Sequence, residues 1–92
     1  MINQAAATKS LLIVANTPSP NTEALAQAAL RGAQHPDIEN VNTRLLTPFE
    51  TDADDVREAD GIILGTTENF GYMSGALKDF FDRVYYLSLI HI

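Results

Sequence analysis

The sequence predicts an α/β domain built on a parallel sheet, and three observations carry that expectation. Ser10-Leu11-Leu12-Ile13-Val14-Ala15 is a continuous apolar run of strand length, and its lack of alternation reads as a strand covered on both faces. Two apolar patterns at helical spacing follow, one over Leu25, Ala26, Ala28, Ala29, Leu30 and Ala33, the other over Met73, Ala76, Leu77, Phe80, Phe81, Val84 and Tyr85. Two further strand-length runs and a short acidic helix lie between them, giving the order βαβαβα. Such alternation implies parallel strands, right-handed crossovers and helices on both faces of the sheet.

The apolar run at Ser10 to Ala15 is the first and central strand. After the turn residues Asn16 to Asn21, a helix is expected from about Thr22 to Ala33, with Gly32 near its end. His35-Pro36-Asp37 breaks that helix. Val41-Asn42-Thr43-Arg44-Leu45-Leu46 is a second strand, more polar, as an edge position tolerates. Asp52 caps a short helix over Asp54 to Ala59, whose acidic first turn suits the helix dipole. Gly61 to Leu64 is the third strand. The third helix is expected from Met73, with Lys78, Asp79 and Asp82 largely outside its apolar face.

Ninety-two residues make one small domain. A net charge of -6 argues against nucleic acid or an anionic membrane surface as partner. The absence of cysteine removes a disulfide framework, a thiolate nucleophile and a cysteine-based zinc site. No run approaches the ~18 apolar residues of a membrane span, and no leader pattern opens the chain, so a cytoplasmic protein is expected. His35 and His91 have no partner at metal-ligand spacing, so no metal site is expected. No Ser-His-Asp or Cys-His arrangement can be argued, no G-x-G-x-x-G follows the first strand, and no catalytic residue is assigned.

Chemistry concentrates in two loops. Thr17-Pro18-Ser19-Pro20-Asn21-Thr22 joins a buried strand to a helix, where free backbone N–H groups and the helix's positive end converge in a way that suits a phosphate. The alternative is an ordinary βα turn with Asn21 or Thr22 as the helix cap. The second loop follows the third strand, at the carboxyl end where α/β proteins bind ligands.

That second loop, Gly65-Thr66-Thr67-Glu68-Asn69-Phe70-Gly71-Tyr72-Met73-Ser74-Gly75, resembles the flavodoxin-like quinone reductases and NADPH-dependent FMN reductases. Their loop commonly reads Gly-Thr-Pro, a variable polar pair, then Phe-Gly and Met-Ser-Gly. Thr67 stands here for a frequent proline and Tyr72 for a frequent asparagine. The first loop resembles the family's Ser or Thr, two variable residues, then Gly-Asn-Thr, with Pro20 in the glycine position. Pro18 and Pro20 remove two N–H donors and fix two φ angles.

The resemblance spans about Lys9 to Tyr86 and implies a flavodoxin-like doubly wound parallel sheet in three α-β-α layers, with the first strand between the second and third. It also implies an FMN site. Thr17, Ser19, Pro20, Asn21 and Thr22 would hold the phosphate, and Thr66, Thr67, Glu68, Asn69, Phe70 and Gly71 would line the flavin ring. Gly71 would let backbone approach the ring. Phe70 would touch the ring or cap the core. Glu68 would disfavour an anionic reduced ring unless it points to solvent.

Within that resemblance the chain is similar to the amino-terminal part of WrbA-type NAD(P)H:quinone reductases. Electrons there pass from NAD(P)H through FMN to a quinone or similar small acceptor, and a homo-oligomeric parent is one arrangement the resemblance allows. An electron-carrier flavodoxin, whose acidic surface docks basic partners, is an alternative. An inactive fragment or a flavin-free interaction module is another. Phe-Gly-Tyr-Met-Ser-Gly favours the reductase. A flavodoxin-like domain has five strands and this chain supplies three. Leu87-Ser88-Leu89-Ile90-His91-Ile92 resembles a translated sequencing adapter joined to a gene fragment. The expectation is therefore a partial FMN-binding domain over residues 1–86, truncated after the third strand and helix, with a non-native tail over 87–92.

Overall fold

The computed structural model describes residues 8–69 and 71–90, with the backbone alone for 85–90. β1 (Lys9–Ala15) lies between β2 (Val41–Leu46) and β3 (Gly61–Gly65), and both pairings are parallel. The central place falls to the one uninterrupted apolar run, because only a strand paired on both edges and covered on both faces uses it fully. Leu12, Ile13, Val14 and Ala15 are all buried.

Alternate residues of β1 serve opposite layers. Leu12 and Val14 form the main core with Ala53 of α2 (Ala53–Glu58) and Leu77, Phe80 and Val84 of α3 (Gly75–Ile90). Ile13 and Ala15 face the other way, toward Ala26 of α1 (Pro20–Ala33). Each large apolar side chain so buried contributes about 1.5–3 kcal/mol. Three layers result, α1 on one side of the sheet and α2 with α3 on the other.

Two helix starts and one added turn differ from the sequence expectation, while β1, α2 and β3 shift by a single residue. α1 starts at Pro20, two residues before Thr22, and its cap is Ser19 instead of Asn21 or Thr22. The reason is that proline suits the first helical position: its missing N–H would have no partner there and its φ is already helical. α3 starts at Gly75, because Tyr72–Met73 forms a short strand, β5, antiparallel to β4 (Glu68–Asn69). Met73 still packs against the core from β5. A 3-10 turn over Pro48–Glu50 has no counterpart in the expectation, since three residues carry no periodic signal. The readings of Phe70 and His91, and of the Tyr85 and Tyr86 side chains, lie outside the described residues. α3 runs on through Ile90.

Polar ties hold these pieces in place. Arg83 of α3 donates to the Thr51 carbonyl at 2.7 Å, to the Pro48 carbonyl and to Asp79, anchoring the 3-10 turn against the helix. β3 is paired on one edge only among the described residues, and its Ile62, Ile63 and Leu64 stay 41%, 42% and 44% exposed. No helix among the described residues is long and apolar enough to cross a membrane.

Asp52 caps α2 as expected, and Asp55 completes a reciprocal box with it. The Asp55 carboxylate accepts the Asp52 N–H at 3.0 Å and the Arg44 guanidinium of β2 at 2.8 Å. Those two partners, the backbone bond first, hold its carboxyl below the ordinary value. A carboxyl lowered by folding stabilises above its unfolded pKa, and that contribution is lost as pH falls through the folded value. Asp55→Asn is expected to cost about 1 kcal/mol at neutral pH, as loss of a cap does. The gap from the parent protein should narrow below about pH 4, where the unfolded carboxyl protonates. Urea unfolding at neutral and acid pH measures both.

Candidate functional site

β1 and β3 end side by side. The Asn16 N–H donates to the Gly65 carbonyl at 3.0 Å, joining the last turn of one strand to the end of the other. A Cβ on Gly65 would stand 3.2 Å from the Ala15 Cβ, so glycine permits this close approach.

The loop leaving β1 is organised by the start of α1. Ser19 is extended, with φ -137° and ψ 161°, and its Oγ accepts the Thr22 N–H at 3.4 Å. Thr22 Oγ1 accepts the Ser19 N–H at 3.2 Å and donates its proton to the Ser19 carbonyl at 3.0 Å. The Glu23 carboxylate accepts from Gln27 Nε2 at 2.9 Å and lies near the Thr17 hydroxyl. Gln27 first, then Thr17, lower the Glu23 carboxyl from its ordinary value.

Proton counting separates the three hydroxyls. The Thr22 proton is committed to the Ser19 carbonyl and the Thr17 hydroxyl lies beside the Glu23 carboxylate, whereas the Ser19 proton has only a longer contact with Thr22 Oγ1 at 3.2 Å. Asn21 occupies the second helical position, where an N–H has no carbonyl behind it. Pro18 and Pro20 offer none. The open donors at this helix end are thus the Ser19 O–H and the Asn21 N–H, both neutral, aided by the dipole.

The loop leaving β3 is a clasped hairpin. Thr66 Oγ1 donates to the Thr67 carbonyl at 2.8 Å and accepts the Ser74 N–H at 2.9 Å. Ser74 is 3% exposed, and its Oγ takes the Leu77 N–H at 3.2 Å, capping α3. Between these ends, Glu68 pairs with Met73 and Asn69 with Tyr72. Gly71 in the turn has φ +81°, a conformation that side chains strain. Glu68, Asn69 and Tyr72 are exposed.

Both loops contribute to one concavity of about 140 Å³. Asn16, Thr17 and Thr22 from the first loop and Gly65 and Thr66 from the second line it, over a floor that includes Ile13 and Ile63. It runs from the carboxyl ends of β1 and β3, where the direction of winding reverses and α/β sheets open a crevice, along the sheet face beside α1, where Leu25, Ala26 and Ala29 complete a largely apolar wall. Of the residues singled out in the sequence, Thr17, Thr22 and Thr66 are in its wall; Ser19, Pro20, Asn21, Thr67, Glu68, Asn69 and Gly71 are not. Asn16 and Gly65, which the sequence places in these loops without a binding role, line it too, and Ser74 lies outside it. Ser74 carried a signal, a serine directly before an apolar helical run. Among the described residues no group of three or more His, Asp or Glu side chains is placed to hold a metal ion.

Two substitutions test the local account. Pro20→Gly should lower stability by about 0.4–1 kcal/mol, because glycine adds freedom to the unfolded chain at a position whose φ proline already fits. Ser19→Ala should cost about 1 kcal/mol through the lost cap. Chemical denaturation checks both, and a Pro20→Gly protein of raised stability would show that the proline strains this turn.

The comparisons with known proteins agree with this geometry. The sequence model of the NADPH-dependent FMN reductase family matches residues 8–90. A protein of Aquifex aeolicus named flavodoxin is 34% identical over 74 residues, which cover 80% of this chain and 39% of that relative. The chain therefore spans about two fifths of the length of that curated relative. Parallel β2-β1-β3 order, helices on both faces and this match over nearly all described residues make the architecture flavodoxin-like α/β, and the chain belongs to the NADPH-dependent FMN reductase family.

Proposed function

We propose that this chain carries the FMN site of an oxidoreductase that passes electrons from NAD(P)H through FMN to a quinone or similar small acceptor. The observation that carries the reading is the single concavity shared by the two loops at the β1 and β3 ends. Family membership supports the flavin, and the donor set fits its phosphate. Neutral O–H and N–H groups at a helix start hold a phosphate without a lysine or arginine.

In this reading the Ser19 hydroxyl and the Asn21 N–H bind the phosphate, while Thr17, Pro20 and Thr22 shape the loop that presents them. Thr66, Thr67, Glu68, Asn69 and Gly71 flank the ring, and Phe70 supplies apolar contact. When bound, FMN supplies the electron transfer, so no protein side chain needs to exchange a proton with substrate. The chain binds, orients and tunes. Glu68, an exposed carboxylate on β4, disfavours added negative charge beside it.

A second reading, an electron carrier without an NAD(P)H site, is supported by the flavodoxin relative and by the net charge of -6. Titration of FMN fluorescence followed by anaerobic reduction separates the readings. A one-to-one complex bleached by NADPH supports the reductase; bleaching by dithionite alone supports the carrier. Failure to quench FMN leaves a flavin-free module.

Within the complex, Ser19→Ala should weaken FMN by about 1–3 kcal/mol, the range for a hydrogen bond to a charged group. Riboflavin, which lacks the phosphate, should bind as before. Thr22→Ala should lose less, since its proton is spent on the Ser19 carbonyl. Equal losses in the two variants would place both protons on the phosphate.

A further inference from the structure

We infer that Thr66 is a positioning residue whose hydroxyl holds the β4–β5 hairpin in one orientation, leaving that oxygen little capacity to bind a ligand directly. The inference rests on the reading that the flavin ring lies on this hairpin. A hydroxyl has one proton and two lone pairs. The Thr66 proton goes to the Thr67 carbonyl at 2.8 Å, and one lone pair takes the Ser74 N–H at 2.9 Å.

The second of these bonds closes the loop at its base. Ser74 is almost fully buried and belongs to the start of α3, where its Oγ takes the Leu77 N–H and its carbonyl takes the Lys78 N–H at 3.0 Å. Leu77 and Phe80 seat that helix in the core. Thr66 therefore ties the carboxyl end of β3 to the first turn of α3. What lies between is weak by itself. Two paired positions, Glu68 with Met73 and Asn69 with Tyr72, do not hold a hairpin in water. Its orientation comes from the clasp and from Met73 against the core. Without the Thr66 oxygen, the buried Ser74 N–H loses its partner, an expensive loss.

Three variants of the 92-residue chain test this. Thr66→Val keeps the branched shape and removes donor and acceptor; Thr66→Ser restores both. Ser74→Ala removes the α3 cap and keeps the N–H that Thr66 accepts. Amide exchange at residue 74 is measured without flavin, and FMN affinity is measured by fluorescence. Thr66→Val should speed that exchange about tenfold or more and weaken FMN by a similar factor, the scale of one buried polar group left unpaired. Thr66→Ser should return both to within about twofold, and Ser74→Ala should keep FMN affinity within about threefold while lowering the melting temperature. Unchanged exchange in Thr66→Val overturns the clasp. Faster exchange with unchanged FMN affinity overturns the positioning role and the ring's placement together. Loss of FMN that Thr66→Ser does not recover assigns the effect to side-chain size and also overturns it. Should Thr66→Val not fold, Thr66→Ala against Thr66→Ser is read by the same two measurements. A parent chain that quenches no flavin overturns the proposed function and this role with it, while exchange at residue 74 still reads the clasp.

Discussion

The pairing of β1 with β3 is what brings chemistry together in this chain. Each strand's loop is polar, and residues of both line one concavity. The parallel register sets Ala15 opposite Gly65, so the two loops depart from the same edge of the sheet. The ladder is closed at both ends: Asn16 donates to Gly65 at the carboxyl end, while at the other the Asp60 N–H meets the Ser10 carbonyl at 2.9 Å and the Ser10 N–H meets the Asp60 carboxylate at 2.8 Å. Burial of Leu12, Ile13 and Val14 between α1 and α3 then holds this ladder against sliding, because a one-residue slip would exchange the faces of every side chain.

Capping chemistry decides which polar atoms remain open to a ligand. Ser19 and Thr22 satisfy each other's backbone, and Ser74 satisfies Leu77 and is itself satisfied by Thr66. Hydroxyls that look interchangeable in the sequence thus divide into spent and open ones. The same logic gives Pro20 its place. At the first helical position it removes an N–H that no helix carbonyl would accept, and presents the helix start in a ready conformation.

Strand identity was legible where the pattern was long and unambiguous. The bounds of β2, the central place of β1 and the cap at Asp52 follow from apolar runs and punctuation residues, and the β2-β1-β3 order is the one the family resemblance implies. The start of α1 was not, because the capping box here is Ser-Pro-Asn-Thr, with threonine where glutamate or glutamine usually signals it. The β4–β5 hairpin was hidden for a different reason: two-residue strands have no period, and only Gly71 at positive φ marks the turn. Thr17 and Thr66 are 49 positions apart in the chain numbering, and their shared concavity depends on long-range pairing that no local pattern encodes.

The central claim is that both loops belong to one flavin site. Titrating FMN into the isotopically labelled chain while following backbone amide shifts tests it directly. The account predicts that amides of residues 17–22, prolines excepted, and of residues 66–71 move together along one binding curve. Shifts confined to one loop, or two curves of different affinity, would contradict it.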